Sequence, residues 1–242
     1  MKSSLCLSGL PVDVLNCFAN MKSFIDENNI DVFIHVWWRK EWGNGETFVG
    51  KNNSFRPSIP FHKDTIQHIN QYNPLKIEIE DDRDYNDYIQ KTYYDDPEFV
   101  WKGSEIDRMY KQLISLQRCN NLKCLYEKEN NFEYKGNARS RFDFYLKKSI
   151  QISELDLNYM HFFNIKWNAV GDKNWVDDTF IIGNKKNMDM LSNIVDYIKE
   201  HAKLQPAFTG QNGLIAYYLM ANNIEYKNSF KYGEDGALYR EK

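Results

Sequence analysis

The chain has little of what marks several protein classes. Its 242 residues contain four cysteines, Cys6, Cys17, Cys119 and Cys124, and no Cys-x-x-Cys pair. That argues against a zinc ribbon or a disulfide framework and fits reduced, mostly buried thiols. No apolar run approaches the roughly 20 residues of a membrane helix. The apolar stretch near the start, Leu5–Leu7, is too short for the core of a signal peptide. A cytoplasmic location is therefore expected. There is no basic excess: the formal net charge is −3, which argues against a nucleic-acid partner. A glycine-rich phosphate loop with a following lysine is missing from the N-terminal region. His62, His68, His161 and His201 show no metal-ligand spacing. Internal repeats and low-complexity linkers are missing too.

What is present describes one folded unit spanning residues 1–242, long enough to bury a sizeable core. Aromatic residues make up 15% of the chain. Their faces suit sugar C–H surfaces, but they also fill cores. Lys2–Leu7 reads as a first strand, ended by Ser8-Gly9-Leu10-Pro11. A helix follows with Leu15, Phe18, Met21 and Ile25 on one face. Asp31–Val36 is nearly all apolar, as in a parallel strand covered on both sides. Gly43–Pro60 reads as a long loop. Lys63–Tyr72 is helical, Leu75–Glu80 alternates as a strand, and Asp81–Pro97 is an acidic, tyrosine-rich surface excursion. Ser104 with Asp107 caps a helix running to about Lys128. Asn137–Phe144, Asn158–Ile165 and Val176–Ile182 are further strands. Asn184 caps the next helix, Gly213–Ala221 forms the last, and Ile224–Lys227 is an edge strand. Strands alternating with helices predict an α/β fold with a mainly parallel sheet.

Ligands of open α/β sheets bind beyond the carboxyl ends of the strands, and three polar groups fall there. Ser8-Gly9 follows the first strand, where glycine permits close backbone approach and free amides can hold a base or phosphate. Its alternative is an ordinary turn. In Asn137–Phe144, period-two spacing puts Arg139, Arg141 and Asp143 on one strand face. Arginine forks suit diphosphate oxygens, and a carboxylate suits a hard cation. The alternative is a structural ion-pair network. Asp177 and Asp178 introduce an apolar strand, where one carboxylate could take a proton from a hydroxyl or both could be solvated turn residues. His35, followed by Trp37-Trp38, either lines a sugar pocket or is a satisfied core histidine.

Four segments, in this order, carry a resemblance. They are Leu5-Cys6-Leu7-Ser8-Gly9, Asp31-Val32-Phe33-Ile34-His35-Val36-Trp37, Arg139-x-Arg141-x-Asp143 and Asp178-x-Phe180-x-x-Gly183. Together they resemble a family of small GT-A-type glycosyltransferases from bacterial surface-polysaccharide loci and large DNA viruses. The likeness spans about residues 4–228, and order and spacing carry it. It implies a GT-A-like fold, a nucleotide-diphosphate sugar donor and a glycan or other hydroxyl acceptor. Ser8 and Gly9 would lie at the nucleotide, with Arg139, Arg141, Asp143 and His35 around the donor. Asp143 would match the second acid of the family's Asp-x-Asp motif and hold Mn²⁺ or Mg²⁺. Arg141 stands where the first acid is usual and could itself neutralise diphosphate charge. The run Ser8-Gly9-Leu10-Pro11-Val12 lacks the arginine that family members often show after strand one. Gln211 stands near the position of a usual acid, so Asp178, or secondarily Asp177, would be the base of an inverting reaction. In a retaining enzyme Gln211 would only contact the reacting face. Two alternatives are a non-catalytic carbohydrate- or nucleotide-sugar-binding protein and a nucleotidyltransferase on a related sheet.

Overall fold

A computed structural model describes residues 1–44, 47–48, 59–60, 62–91, 95, 104–164, 176–201 and 211–239. In chain order its elements begin with strand β1 (Ser3–Gly9), helix α1 (Val14–Glu27) and strand β2 (Ile30–Trp37). The short pair β3 (Thr47–Phe48) and β4 (Ile59–Pro60) follows, then α2 (Thr65–Asn70), β5 (Lys76–Glu80), α3 (Asn86–Ile89) and α4 (Ser104–Asn130). The second half holds β6 (Gly136–Ser140), β7 (Phe144–Leu146), β8 (Met160–Asn164) and β9 (Phe180–Asn184). It ends with α5 (Lys185–Ser192), α6 (Ile194–His201), α7 (Gln211–Ala221), β10 (Tyr226–Lys231) and β11 (Gly236–Leu238).

Seven strands form one sheet in the order β10-β8-β9-β6-β1-β2-β5. Only β9 runs against its neighbours, pairing antiparallel with both β6 and β8. The expected mixed α/β architecture with a mainly parallel central sheet is what the chain adopts. β1 lies at the centre between β2 and β6. Because side chains alternate along a strand, each central strand sends one set of residues toward α1 and the other toward α4. On the α1 side Leu5, Leu7, Val32, Ile34, Val36 and Ala138 join Val14, Met21, Phe24 and Ile25 in one buried cluster. On the α4 side Cys6 and Phe33 meet Cys119 of the helix and Tyr134.

Several boundaries differ from the sequence expectation. The buried face of α1 is Val14, Cys17, Met21, Phe24 and Ile25. Leu15, expected on that face, is exposed, because the apolar stripe starts one residue earlier. The acidic segment after β5 folds back: Asp82 is buried, with Arg39 Nε at 2.5 Å and Lys111 Nζ at 2.9 Å. Most of the Gly43–Pro60 loop lies outside the described residues, although β3 and β4 pair antiparallel within it. Asn184 does cap α5, its Oδ1 accepting the Asn187 N–H at 2.8 Å. The side chains of Ser104 and Asp107 lie outside the described residues.

The largest correction concerns Asn137–Phe144, which is two strands. β6 ends at Ser140, and the chain turns through Arg141, Phe142 and Asp143. β7 then leaves the main sheet to pair antiparallel with β11. Arg139, Arg141 and Asp143 therefore do not share one strand face. A hydrogen bond from Arg141 N to Thr179 O, 3.0 Å, fixes the departure. Likewise Val176–Thr179 is not strand. Asp177 Oδ1 accepts the Thr179 N–H at 2.6 Å and the Thr179 hydroxyl as well, a side-chain turn that competes with extended pairing.

Candidate functional site at the carboxyl ends of the central strands

β1 ends at Ser8-Gly9. Gly9 has φ 116°, a conformation L side chains rarely adopt, and among the described residues nothing beyond its chain neighbours lies within 4 Å of where its Cβ would stand. The glycine is thus required by the backbone and also leaves open space. Ser8 is buried, and its Oγ has no hydrogen-bond partner among the described residues. On neighbouring β6, Arg139 pairs with Cys6, so it lies on the α4 side of the sheet one pleat before Ser8. Arg139 is only 1% exposed, and its Nε also lacks a partner.

Two other buried side-chain atoms are unbonded among the described residues, Tyr72 Oη and Glu127 Oε2. Glu127 Oε2 is 3.3 Å from Lys185 Nζ, and the Tyr72 ring packs on Phe18 of α1. Ser8 and Arg139 differ in lying on one face of neighbouring strands, one pleat apart, toward the carboxyl ends where α/β sheets bind ligands. Leaving a buried donor or acceptor unmade costs about 1–3 kcal/mol, more for a charge. Two such atoms on one face at this end make it the candidate site for a polar ligand.

Charge gathers around Arg139. Asp178 Oδ2 lies 3.9 Å from its Nη1, beyond hydrogen-bond reach, and also receives Gln112 Nε2 of α4. Burial depresses the proton affinity of Arg139, with Asp178, Asp177 and Asp143 acting in the opposite sense. Arg141 forms a two-pronged bond with Asp143, Nε to Oδ1 at 2.9 Å and Nη2 to Oδ2 at 2.7 Å. Burial opposes the Arg141 charge, but Asp143, Asp178 and Asp177 outweigh it and strengthen the hold on its proton. Asp177 is pushed up to about 6, chiefly by burial and then by repulsion from Asp178. The fold thus brings together five of the residues expected from sequence: Arg139, Arg141, Asp143, Asp177 and Asp178. Asp177 and Asp178 are buried rather than solvated.

Other expected residues are placed differently. His35 is fully buried; its Nδ1 meets Ser115 Oγ at 2.6 Å and its Nε2 meets Glu80 Oε2 at 2.7 Å. Trp37 is buried beside it, its Nε1 donating to Lys111 O at 3.0 Å. Both side chains are buried under α4. Gln211 opens α7, but its side chain lies outside the described residues.

Sequence reasoning missed the partners that α4 supplies, Gln112 and Ser115. It also missed a grouping of His35, Glu78 and Glu80, whose ligand atoms lie within 4.8 Å of one another. That is the one grouping of three or more His, Cys, Asp or Glu able to hold a cation among the described residues. The period-two pattern of β5, which puts Glu78 and Glu80 on one face beside β2, could have suggested it. Arg118 Nε lies 3.8 Å from Glu80 and Tyr85 Oη donates to the same carboxylate, so part of this charge is already answered. A separate groove of about 320 Å³ lies over α4, lined by Tyr85, Tyr88, Tyr110 and Arg118 among others. None of the residues expected at the ligand site lines it.

No protein-family model matches the sequence, and no curated protein matches it. Solved structures with a similar chain course include three glycosyltransferases. One is the apo form of GlyE from Streptococcus pneumoniae TIGR4, 9% identical, TM-score 0.46, covering 93% of this chain and 44% of that one. The chain thus spans less than half the length of GlyE. Another acts in glycosylation of the major capsid of PBCV-1, 8% identical, TM-score 0.44, covering 94% of this chain and 81% of that one. Mouse xyloside xylosyltransferase 1, apo form, is 7% identical, TM-score 0.41, covering 93% and 84%. At such identity these are similarities of chain course, and the site is read from its own residues. No helix among the described residues is long and apolar enough to cross a membrane.

Proposed function

We propose that the chain is a glycosyltransferase that moves a sugar from a nucleotide-diphosphate donor to a hydroxyl of a glycan or similar acceptor. The observation that carries this reading is the buried, unbonded pair Ser8 Oγ and Arg139 Nε at adjacent strand ends, with Asp177 and Asp178 alongside. A buried guanidinium lacking a full set of acceptors calls for an anion. Two carboxylates beside an anion site call for proton transfer during group transfer. The order of motifs in the sequence points the same way.

In this reading Ser8 and Gly9 face the nucleotide, and Arg139 with Arg141 hold the diphosphate. For an inverting reaction one acid accepts the acceptor's hydroxyl proton as its oxygen attacks the anomeric carbon. The bond to the diphosphate breaks, and the leaving negative charge rests between the arginines. Asp178 is the choice from sequence, but it is held between Gln112 and Arg139. Asp177, raised to about 6, is ionised at neutral pH yet has a proton affinity closer to that of an efficient base. Asp177 is therefore the preferred base and Asp178 the second choice, with Gln211 at most a contact to the reacting face.

Incubation with a panel of nucleotide sugars tests the reading. Release of free nucleoside diphosphate, enhanced by a hydroxyl acceptor, is the expected result. Pyrophosphate release would indicate nucleotidyl transfer, and binding without turnover a lectin-like or sugar-nucleotide-binding role. The Asp177→Asn variant is expected to bind donor normally and to transfer about 10²–10⁴-fold more slowly.

A further inference from the structure

The resemblance to GT-A enzymes implies a divalent cation on Asp143, and the residues around Asp143 do not fit one. The carboxylate is only 2% exposed. Both of its oxygens already accept N–H groups from Arg141, at 2.9 and 2.7 Å, so a cation would have to displace the arginine fork and face its charge. Asp143 also does not group with Asp177 and Asp178 as a convergent set of ligand atoms; the one such set among the described residues is on β2 and β5. Arg139 shows the reverse situation. Among the described residues its Nε has no partner, and the acid paired with it, Asp178, is 3.9 Å away. Arg141 uses only Nε and Nη2 on Asp143, and its side chain is about a quarter exposed, at 23%, so Nη1 remains for another acceptor.

We propose that the anion bound at this site is neutralised by the guanidinium pair of Arg139 and Arg141, and that Asp143 is a positioning residue that clamps Arg141 rather than a metal ligand. The inference rests on the nucleotide-sugar reading above and narrows it to a donor held without a bridging cation. Two planar forks can present parallel N–H groups to successive phosphate oxygens, a geometry that a point charge does not impose. When the diphosphate enters, its oxygens accept from Arg139 Nε and Arg141 Nη1. Arg139 then no longer depends on distant Asp178 for charge compensation.

Calorimetric titration of the whole chain with UDP, GDP, CDP and ADP, once in EDTA and once with Mn²⁺, tests this. At least one diphosphate is expected to bind in EDTA with an affinity within about threefold of that in Mn²⁺. Arg139→Lys and Arg141→Lys should each weaken that binding at least tenfold, with circular dichroism confirming that the variants fold. Asp143→Asn should weaken it too, by loosening Arg141, and leave the response to Mn²⁺ flat. Binding that appears only with Mn²⁺ and disappears in Asp143→Asn would overturn the inference and leave the nucleotide-sugar reading standing. Failure of every diphosphate under both conditions would remove both.

Discussion

The two sides of the central sheet are built from alternate residues of the same strands, yet they solve different problems. Toward α1 the strands present Leu5, Leu7, Val32, Ile34, Val36 and Ala138, with Phe180 packed against Phe24, Phe144 and Phe163. Toward α4 the same strands present Ser4, Cys6, Ser8, Asn137, Arg139 and His35, all buried. The polar side is itself divided along the strand direction. At the amino end Ser4 Oγ donates to Asn137 Oδ1 at 2.8 Å, and Asn137 Nδ2 donates to Tyr134 O at 3.3 Å. At the carboxyl end Ser8 Oγ and Arg139 Nε are unbonded among the described residues. The difference teaches that polarity inside this fold is not itself functional. Where partners are complete it ties neighbouring segments together, and where they are incomplete, at Ser8 and Arg139, it is where we propose that a ligand binds.

That division can be broken experimentally. The largest effect belongs to the apolar side: Phe180→Ala should cost about 3–5 kcal/mol of stability in chemical denaturation, since the ring is fully buried among three others. A loss under about 1 kcal/mol would show that this side is not the main core.

The next effect is pH-linked. Asp177 takes up its proton more readily folded than unfolded, with a folded value of about 6 against 3.8. A raised carboxylate stabilises the fold below its unfolded value, and that stability is lost as pH rises from about 4 to about 6. Some two units correspond to about 3 kcal/mol as an upper bound. Asp177→Asn should therefore flatten the melting-temperature profile over that window relative to the parent chain. Parallel profiles for the two proteins would refute the assignment.

A matched pair of serine variants sharpens the contrast within the polar side. Ser4→Ala strands Asn137 Oδ1 and should cost about 1–3 kcal/mol. Ser8→Ala removes a hydroxyl that has no partner and should change stability by less than about 0.5 kcal/mol. Equal losses from both would mean that Ser8 is structurally bonded after all.

The sequence made the layered fold readable because periodicity registers burial. The near-continuous apolar run of β2, the alternation in β5 and the Asn184 cap each have a local cause that the structure repeats. The break after Ser140 has no such cause. Arg141-Phe142-Asp143 contains neither glycine nor proline; its turn is held by a bond to Thr179 and by the arginine–aspartate fork, both tertiary or side-chain effects. Arg139, Arg141 and the three acids were legible as two separate polar groups, one in Asn137–Phe144 and one introducing the later strand. Their electrostatic coupling was not, because it depends on the antiparallel insertion of β9 beside β6. The helix contacts to His35 and Asp178 were illegible for the same reason: Ser115 and Gln112 are unremarkable in sequence and acquire their roles only on docking.

That docking gives α4 an axial address. The helix is 27 residues long, about 40 Å at 1.5 Å per residue. Its inner stripe carries Gln112, Ser115, Cys119, Lys123 and Glu127, which engage Asp178, His35, the Phe33 carbonyl, Asp189 and the Tyr134 amide in turn. A greasy stripe would allow a helix to slide by a fraction of a turn at modest cost. A row of directional contacts works like the teeth of a rack: a slip of one residue disengages every tooth together. The position of Gln112 beside Asp178 is therefore gauged by contacts as far along the same rod as Glu127.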